Sequence, residues 1–383
     1  MQAPIAPTRP TALLITRNMP PLRGGMERLN LHLARGLASW ADLTVVGPVG
    51  CRQFLPKECR VVEVPAAPVS SFLRHSFRAA WVASCQPMDF VMAGSGLTAV
   101  AAKVAALRSG ARSIVYVHGL DLLVRNLLYK TFWLPTLRRF DQVIANSSNT
   151  AGIAVRMSVS AERINVIHPG VALPEENAGC CAAFREKYRL GGRPVLLSVG
   201  RLTARKGIEQ FIRYALPLIR RQHPQVLLVV LGDEAADALT VTGRFGKAEI
   251  QKIAVDLGLQ DNLCLLGPCD DETLSQAYFA ADVHVFPVRD IPGDVEGFGM
   301  VAIEAAAHGL PTVAFAVGGV PDAVADKCSG YLVPPGHYDM FSERVCQLLD
   351  AREEKSMRDG CQRFAQEFSW DKFAVKVRQL LKL

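Results

Sequence analysis

Short runs of β-branched and apolar residues alternate along the chain with longer segments whose apolar positions recur every three or four residues. That alternation predicts parallel strands covered by helices on both faces. In the first half the runs predict strands at Ala12–Thr16, Leu43–Gly47, Phe90–Ala93, Ser113–His118 and Gln142–Ala145. Between the first two, Met26, Leu29, Leu33 and Leu37 fall on one stripe of a helix over Gly25–Ser39. The scheme then restarts. Arg193–Gly200, Val226–Gly232, Asn262–Gly267, Val283–Pro287 and Pro311–Ala314 predict five more strands, with helices over Ile208–His223, Lys247–Leu257, Asp271–Ala280 and Met300–His308. Two further helices are expected over 337–351 and 353–366.

Each half therefore reads as a doubly wound, Rossmann-like α/β domain, and two such domains are expected to face a cleft. The expected boundaries are 1–172 for the N-terminal domain, 173–182 for a linker in which LPEENAGCC interrupts the pattern, and 183–366 for the second domain. Residues 367–383 are expected to form a helix crossing back to the first domain. It is capped at Ser369 and striped by Phe373, Val377 and Leu380. A length of 383 residues suits two cores, and a chain half hydrophobic and one-fifth charged is a folded one.

Charge changes the picture more than composition does. Residues 1–180 hold 19 Lys and Arg against 10 Asp and Glu, a net +9, whereas the remainder hold 24 against 26, a net −2. A basic first half would attract phosphate-bearing partners or an anionic membrane surface. Basic residues are too few, and recognised modules too absent, for nucleic-acid reading. The ten cysteines are scattered without metal-ligand spacing, no apolar run reaches 18 residues, and the N-terminal apolar run is too short for a secretory leader. These features lead us to expect a cytoplasmic protein.

The most specific candidate chemistry is EGFGMVAIE, in which Glu296 and Glu304 flank the turn Gly297–Phe298–Gly299. With a helix starting near Phe298, Glu296 would sit at its mouth beside free backbone N–H groups, and Glu304 about two turns inside. An ionised carboxylate accepts hydrogen bonds, so Glu304 suits a vicinal diol such as a ribose. The plain alternative is a helix start with one outward acid. GRLTARKG places Arg201 and Lys206 at the carboxyl end of a strand, suited to a diphosphate or to two solvated loop positions. Gly24 and Gly25, ahead of Glu27, let backbone amides approach a phosphate at a helix N-terminus, although the run is neither GxGxxG nor a P-loop. His118 ends a strand in VHGLD with Asp121 nearby, and Asp270 in the PCDD turn is a candidate base contact. Leu122–Phe140 mixes cations with Leu127, Leu128, Phe132 and Trp133. It reads as an interfacial helix on anionic lipid or as a core helix with a wet face, and Leu73–Trp81 has the same flavour.

In combination these motifs resemble the family-4 retaining glycosyltransferases of GT-B architecture, including bacterial mannosyltransferases and polysaccharide-assembly enzymes. Five matches stand in order: Gly24-Gly25-x-Glu27, His118, an IPNGV-like segment read here as IHPGV, Arg201 with Lys206, and Glu296 with Glu304. Pro169 and Ala172 depart from the usual segment, and Gly318-Gly319-Val320-Pro321-Asp322 carries a shorter acid than usual. The resemblance implies a nucleotide-sugar donor, GDP-sugar favoured over UDP-sugar, and no cofactor or metal. Arg201 and Lys206 would take the diphosphate, Glu304 the ribose, and Glu296 with the amides of Gly297, Phe298 and Gly299 the donor sugar, while Gly24, Gly25 and His118 close on the sugar. It also implies transfer of a hexose, leaning to mannose or a GDP-deoxyhexose such as rhamnose, to a lipid-linked or growing glycan acceptor at the inner face of the cytoplasmic membrane. A non-hydrolysing nucleotide-sugar epimerase and a non-catalytic nucleotide-sugar-binding subunit are the rival readings.

Overall fold

In the computed structural model of the protein, residues 9–175, 178–232, 246–351 and 355–381 are described. The chain divides into two compact units. One comprises Met1–Gly170 with Trp370–Leu383, and the other Val171–Ser369. The divide falls at these residues, two to three away from the expected 172 and 366, for local reasons. The Val171 amide donates to the Phe368 carbonyl at 2.7 Å and Val171 bridges Ser369 within the second unit. In the first unit Gly170 lies under Trp370, where any Cβ would run into the indole ring. The expected linker is also shorter than 173–182, because a helix over Ala178–Lys187 starts inside it.

The first unit is a seven-stranded parallel sheet: β1 (Thr11–Ile15), β2 (Asp42–Pro48), β3 (Arg60–Val64), β4 (Phe90–Ala93), β5 (Arg112–Val117), β6 (Gln142–Ala145) and β7 (Ile164–Val166), in the order β3-β2-β1-β4-β5-β6-β7. The central strands are apolar on both faces, as helices on both sides require; Phe90–Ala93 is wholly buried. The two edge strands β3 and β7 escape the sequence pattern because polar residues, Arg60 and Glu63 in β3 and Asn165 in β7, break the apolar run. The helix Trp370–Leu381 packs on Gly25–Ala38 through Phe373, Val377 and Leu381, and Trp370 stacks on His32 with ring centres 3.9 Å apart.

The second unit is a six-stranded parallel sheet: β8 (Val195–Val199), β9 (Leu227–Leu231), β10 (Leu263–Gly267), β11 (Val283–Phe286), β12 (Thr312–Phe315) and β13 (Gly330–Val333), in the order β10-β9-β8-β11-β12-β13. Strand β13, unanticipated in the sequence, is a half-exposed edge. Helices cover both faces and close two cores, one that includes Phe211, Phe286, Phe315 and Phe341 and another that includes Phe184, Tyr278 and Leu310.

Two segments wind into wide π-turns, Tyr129–Trp133 and Phe211–Ala215, and each runs into a Leu-Pro pair, Leu134-Pro135 and Leu216-Pro217. Proline has no N–H to donate and its ring crowds the carbonyl four residues back, which accounts for a wide turn just before it. For this reason Leu122–Phe140 is not the single amphipathic helix expected. It comprises a 3-10 turn at Leu120–Leu122, the π-turn, and a short helix Leu134–Leu137. Tyr129, Leu134 and Leu137 are buried, whereas Leu127, Leu128 and Phe132 stand exposed among Arg125 and Lys130. Among the described residues no helix is long and apolar enough to cross a membrane.

Candidate active site

In the second sheet the strand order reverses between β8 and β11, the point where open α/β sheets take ligands beyond the carboxyl ends of their strands. The loops leaving these two strands carry the charged residues of EGFG and GRLTARKG. They are held together by backbone contact: the Arg289 amide donates to the Arg205 carbonyl at 2.8 Å, and Gly207 lies so close to Pro287 that a Cβ would collide with its carbonyl oxygen. Gly207 also has φ 71°, which glycine adopts without strain.

Lys206 Nζ donates to Glu296 Oε2 at 2.8 Å and lies 4.7 Å above the ring of Phe286. Arg205 forks between two acids. Its Nε donates to Asp294 Oδ1 at 3.0 Å and its Nη1 to Glu296 Oε2. The Glu296 side chain is only 12% exposed. Burial raises its carboxyl, but Lys206 and then Arg205 outweigh that and hold it at about 2. The ammonium of Lys206 moves the other way: burial lowers it, attraction to Glu296 only partly offsets this, and the charges of Arg205 and Arg201 add to the lowering. The asymmetry is physical. One carboxylate answers two cations, whereas Lys206 has one anion and two cationic neighbours. Arg201 stands exposed at the start of the same loop.

From Lys206 a file of rings leads to Glu304. Phe286 and His284, two residues apart on β11, have centres 5.7 Å apart, and His284 meets Tyr278 edge-on at 6.2 Å. The Tyr278 hydroxyl donates to Glu304 Oε2 at 3.1 Å. His284 is fully buried, with Nδ1 3.0 Å from Thr312 Oγ1. Burial, then the Lys206 charge, lowers its imidazole to about 3 and keeps it neutral.

The helix bearing Glu304 begins at Met300, the start that the hydrophobic pattern predicts, and Gly299 at its N-terminus takes φ 103°, which excludes the earlier start near Phe298 that would set Glu304 two turns inside. Glu296 consequently lies four residues ahead of the helix, and Glu304 is its fifth residue, little more than one turn in. The Gly297–Phe298–Gly299 turn is shaped by the second glycine pair. The Gly319 amide donates to the Glu296 carbonyl at 2.9 Å, and a Cβ on Gly319 would strike the Gly297 carbonyl oxygen. Phe298 turns its ring into the core, 5.9 Å from Phe368.

Asp270 stands apart from this cluster. It follows the edge strand β10, and its Oδ1 accepts from the Thr273 amide at 2.7 Å, capping the helix Asp271–Ala280. Capping alone accounts for an acid there.

In the first unit, Gly24 takes φ 154° immediately before the helix Gly25–Ala38, and Glu27 Oε1 accepts from Asn18 Nδ2 at 2.8 Å across the same loop. A Cβ on Gly24 would meet the Glu27 carboxylate. His118 follows β5 and is buried against Tyr116, with Nε2 3.0 Å from the Gly94 carbonyl oxygen.

Arg205, Asp294 and Tyr278 are the residues that sequence reasoning missed. For Asp294 a signal existed: two residues before Glu296 on a chain of extended character, it falls on the same side. Arg205 was hidden by its neighbour Lys206, and nothing local distinguishes Tyr278.

Comparison with known proteins agrees with this arrangement. Residues 23–174 match the family model described as Glycosyltransferase Family 4, and residues 182–382 the model described as Glycosyl transferases group 1. A GDP-mannose-dependent alpha-(1-6)-phosphatidylinositol monomannoside mannosyltransferase of Mycolicibacterium smegmatis is 28% identical over 96% of this chain and 97% of its own length. The D-inositol 3-phosphate glycosyltransferase of Mycobacteroides abscessus is 34% identical over 61% of this chain, which spans only half of that relative's length. Among solved structures, Anabaena HepE in complex with UDP-glucose superposes with a TM-score of 0.78 at 20% identity, covering 97% of this chain and 99% of that one, and shares the GT-B pair of Rossmann-like domains. With a family model over each half, the chain belongs to the glycosyltransferases, family 4 in its first part and group 1 in its second.

Proposed function

We propose that the protein is a retaining hexosyltransferase that takes a GDP-sugar, mannose or a deoxyhexose such as rhamnose, and delivers the sugar to a lipid-linked or growing glycan acceptor. The observation that carries this reading is the buried contact between Lys206 and Glu296 at the switch point of the second sheet. A cation suited to a diphosphate and an acid suited to sugar hydroxyls lie side by side, so that an activated sugar could meet both at once. Arg201 supplies a second cation from the same loop, and Glu304 accepts from the ribose diol. The preference for a guanine nucleotide and mannose is supported by the mycolicibacterial relative that matches over nearly its whole length, a GDP-mannose-dependent mannosyltransferase.

In the proposed reaction the bond from the anomeric carbon to the diphosphate oxygen breaks while a bond to the acceptor hydroxyl forms on the same face. The hydroxyl proton passes to the departing phosphate. Arg201 and Lys206 stabilise the charge that develops on that leaving group, in a site where water screens little. Glu296, kept ionised, orients the sugar. The net +9 of residues 1–180 and the exposed Leu127, Leu128 and Phe132 beside Arg125 and Lys130 support a cytoplasmic enzyme resting on an anionic membrane surface.

A thermal-shift panel of GDP-, UDP-, ADP- and dTDP-sugars tests the donor. A ligand at 100 times its dissociation constant adds about 2.7 kcal/mol to the native state. GDP-mannose or another GDP-sugar is expected to give the largest rise in Tm, and a panel with no rise at all would overturn the reading.

A further inference from the structure

In the sequence Asp121 stands three residues after His118 in VHGLD. In the folded first unit it is a junction. Its Oδ1 accepts from the His118 amide at 2.9 Å and its Oδ2 from the Gly96 amide at 2.9 Å. One carboxylate thereby ties the loop leaving β5 to the loop leaving β4. The second loop supplies the Gly94 carbonyl that meets His118 Nε2. A carbonyl only accepts, so in the neutral ring Nε2 carries the proton and Nδ1 is left as the acceptor.

The surroundings leave this junction little freedom. A Cβ on Gly94 would collide with Asn30 Oδ1 and stand 2.7 Å from Thr16 Cβ, and one on Gly96 would lie 2.9 Å from Asp121 Cβ and 2.5 Å from the Tyr129 hydroxyl. Thr98, on the same loop, donates through Oγ1 to the Ile15 carbonyl at 2.9 Å, and Trp133 Nε1 donates to the Leu97 carbonyl at 2.8 Å. The loop after β4 is thus fixed from both sides, and Asp121 is the charged link between it and the histidine.

From this geometry we infer that Asp121 is a positioning residue for the transfer reaction: by holding the His118 backbone and the Gly94–Gly96 loop in one register, it fixes which ring nitrogen of His118 receives a substrate hydroxyl. The inference rests on the proposed transferase function and on the role the family resemblance implies for His118, contact with a hydroxyl of the sugar. Asparagine at 121 keeps the shape but offers one acceptor oxygen where two amides need one each.

The test is a double-mutant cycle on the full-length protein, comparing wild type, Asp121→Asn, His118→Ala and the double variant in transfer from GDP-mannose. A misplacement of this kind costs about 10- to 100-fold in kcat, with the donor's dissociation constant unchanged within about twofold because the donor is held by the second unit's cations. In the His118→Ala background the same substitution is expected to change kcat by less than about threefold, since residues acting through one another are not additive. Equal losses in both backgrounds would overturn the inference. A second readout needs no turnover. The 15N shifts of the His118 ring, identified by their disappearance in His118→Ala, should report a single Nε2–H tautomer in wild type and a mixture in Asp121→Asn, and an unaltered ring would overturn it equally. If the asparagine variant does not fold, Asp121→Glu is read by the same two measurements. A wild type that binds no nucleotide sugar defeats the proposed function, while the ring signal still judges Asp121.

Discussion

Replacing Arg205 by methionine tests the electrostatic account of the site directly. The side chain is buried and bonded to both Asp294 and Glu296. The Glu296 carboxyl is held at about 2 against 4.5 for an unconstrained glutamate, which corresponds to about 3 kcal/mol favouring the ionised, folded state. Lys206 is the larger contributor and Arg205 the next, so the variant forfeits about 1 kcal/mol at Glu296, and the hydrogen bond lost to Asp294 costs about as much again. A total of about 2 kcal/mol lowers the melting temperature of a unit of this size by about 4 to 8 °C. The sign with pH follows from the folded value lying below the unfolded one: the stabilisation is full above about 4.5 and is lost as pH falls from there toward 2. The share owed to Arg205 goes only as Glu296 itself takes up protons in the folded state, so differential scanning calorimetry of wild type and Arg205→Met at pH 7, 5 and 2.5 should show nearly equal gaps at pH 7 and 5 and a narrower one at pH 2.5. A variant that melts with the wild type at pH 7, or a gap that widens on acidification, refutes the reasoning.

Lys206→Ala should reduce kcat by about 100-fold or more if the ammonium stabilises the leaving diphosphate, and near-normal transfer rates would remove it from that role. Glu304→Gln should weaken nucleotide binding about tenfold by calorimetric titration, the cost of one charge-assisted hydrogen bond at the low end of its range; an unchanged dissociation constant would take Glu304 off the ribose. Gly207→Ala combines φ 71° with a collision against the Pro287 carbonyl, so a Tm loss of several degrees, at about 2 to 4 °C per kcal/mol, is expected; an unaltered Tm would show that the two loops are not tied as described. Replacing Leu127 and Phe132 by serine should cut sedimentation with phosphatidylglycerol-containing vesicles, and binding that persists undiminished would place the membrane contact elsewhere.

Much of the architecture was legible before folding because it rests on local periodicity. Buried strands such as Phe90–Ala93 and Gln142–Ala145 are short apolar blocks between helical stripes, and their limits in the folded chain coincide with those read from the sequence. The pattern fails where polar residues interrupt the run, at β3 and β7, and where the run is only a few residues long, at β13. It also fails where backbone chemistry overrides periodicity. The prolines at 135 and 217 open π-turns inside expected helices.

The sequence by itself determined which residue types stand at the ends of the strands: Arg201 and Lys206 after β8, Glu296 after β11, His118 after β5. Order along the chain is enough for that, because a parallel sheet delivers every strand's carboxyl end to one rim. Tertiary structure alone decided the partnerships. Lys206 meets Glu296 only because β8 and β11 become neighbours at the reversal of strand order. Arg205 matters only because Asp294 and Glu296, 89 and 91 residues away, arrive at its guanidinium. Asp121 becomes a junction only because β4 and β5 lie side by side. Contacts between residues far apart in sequence carry no local pattern, since periodicity reports which face of an element is buried and never what it is buried against.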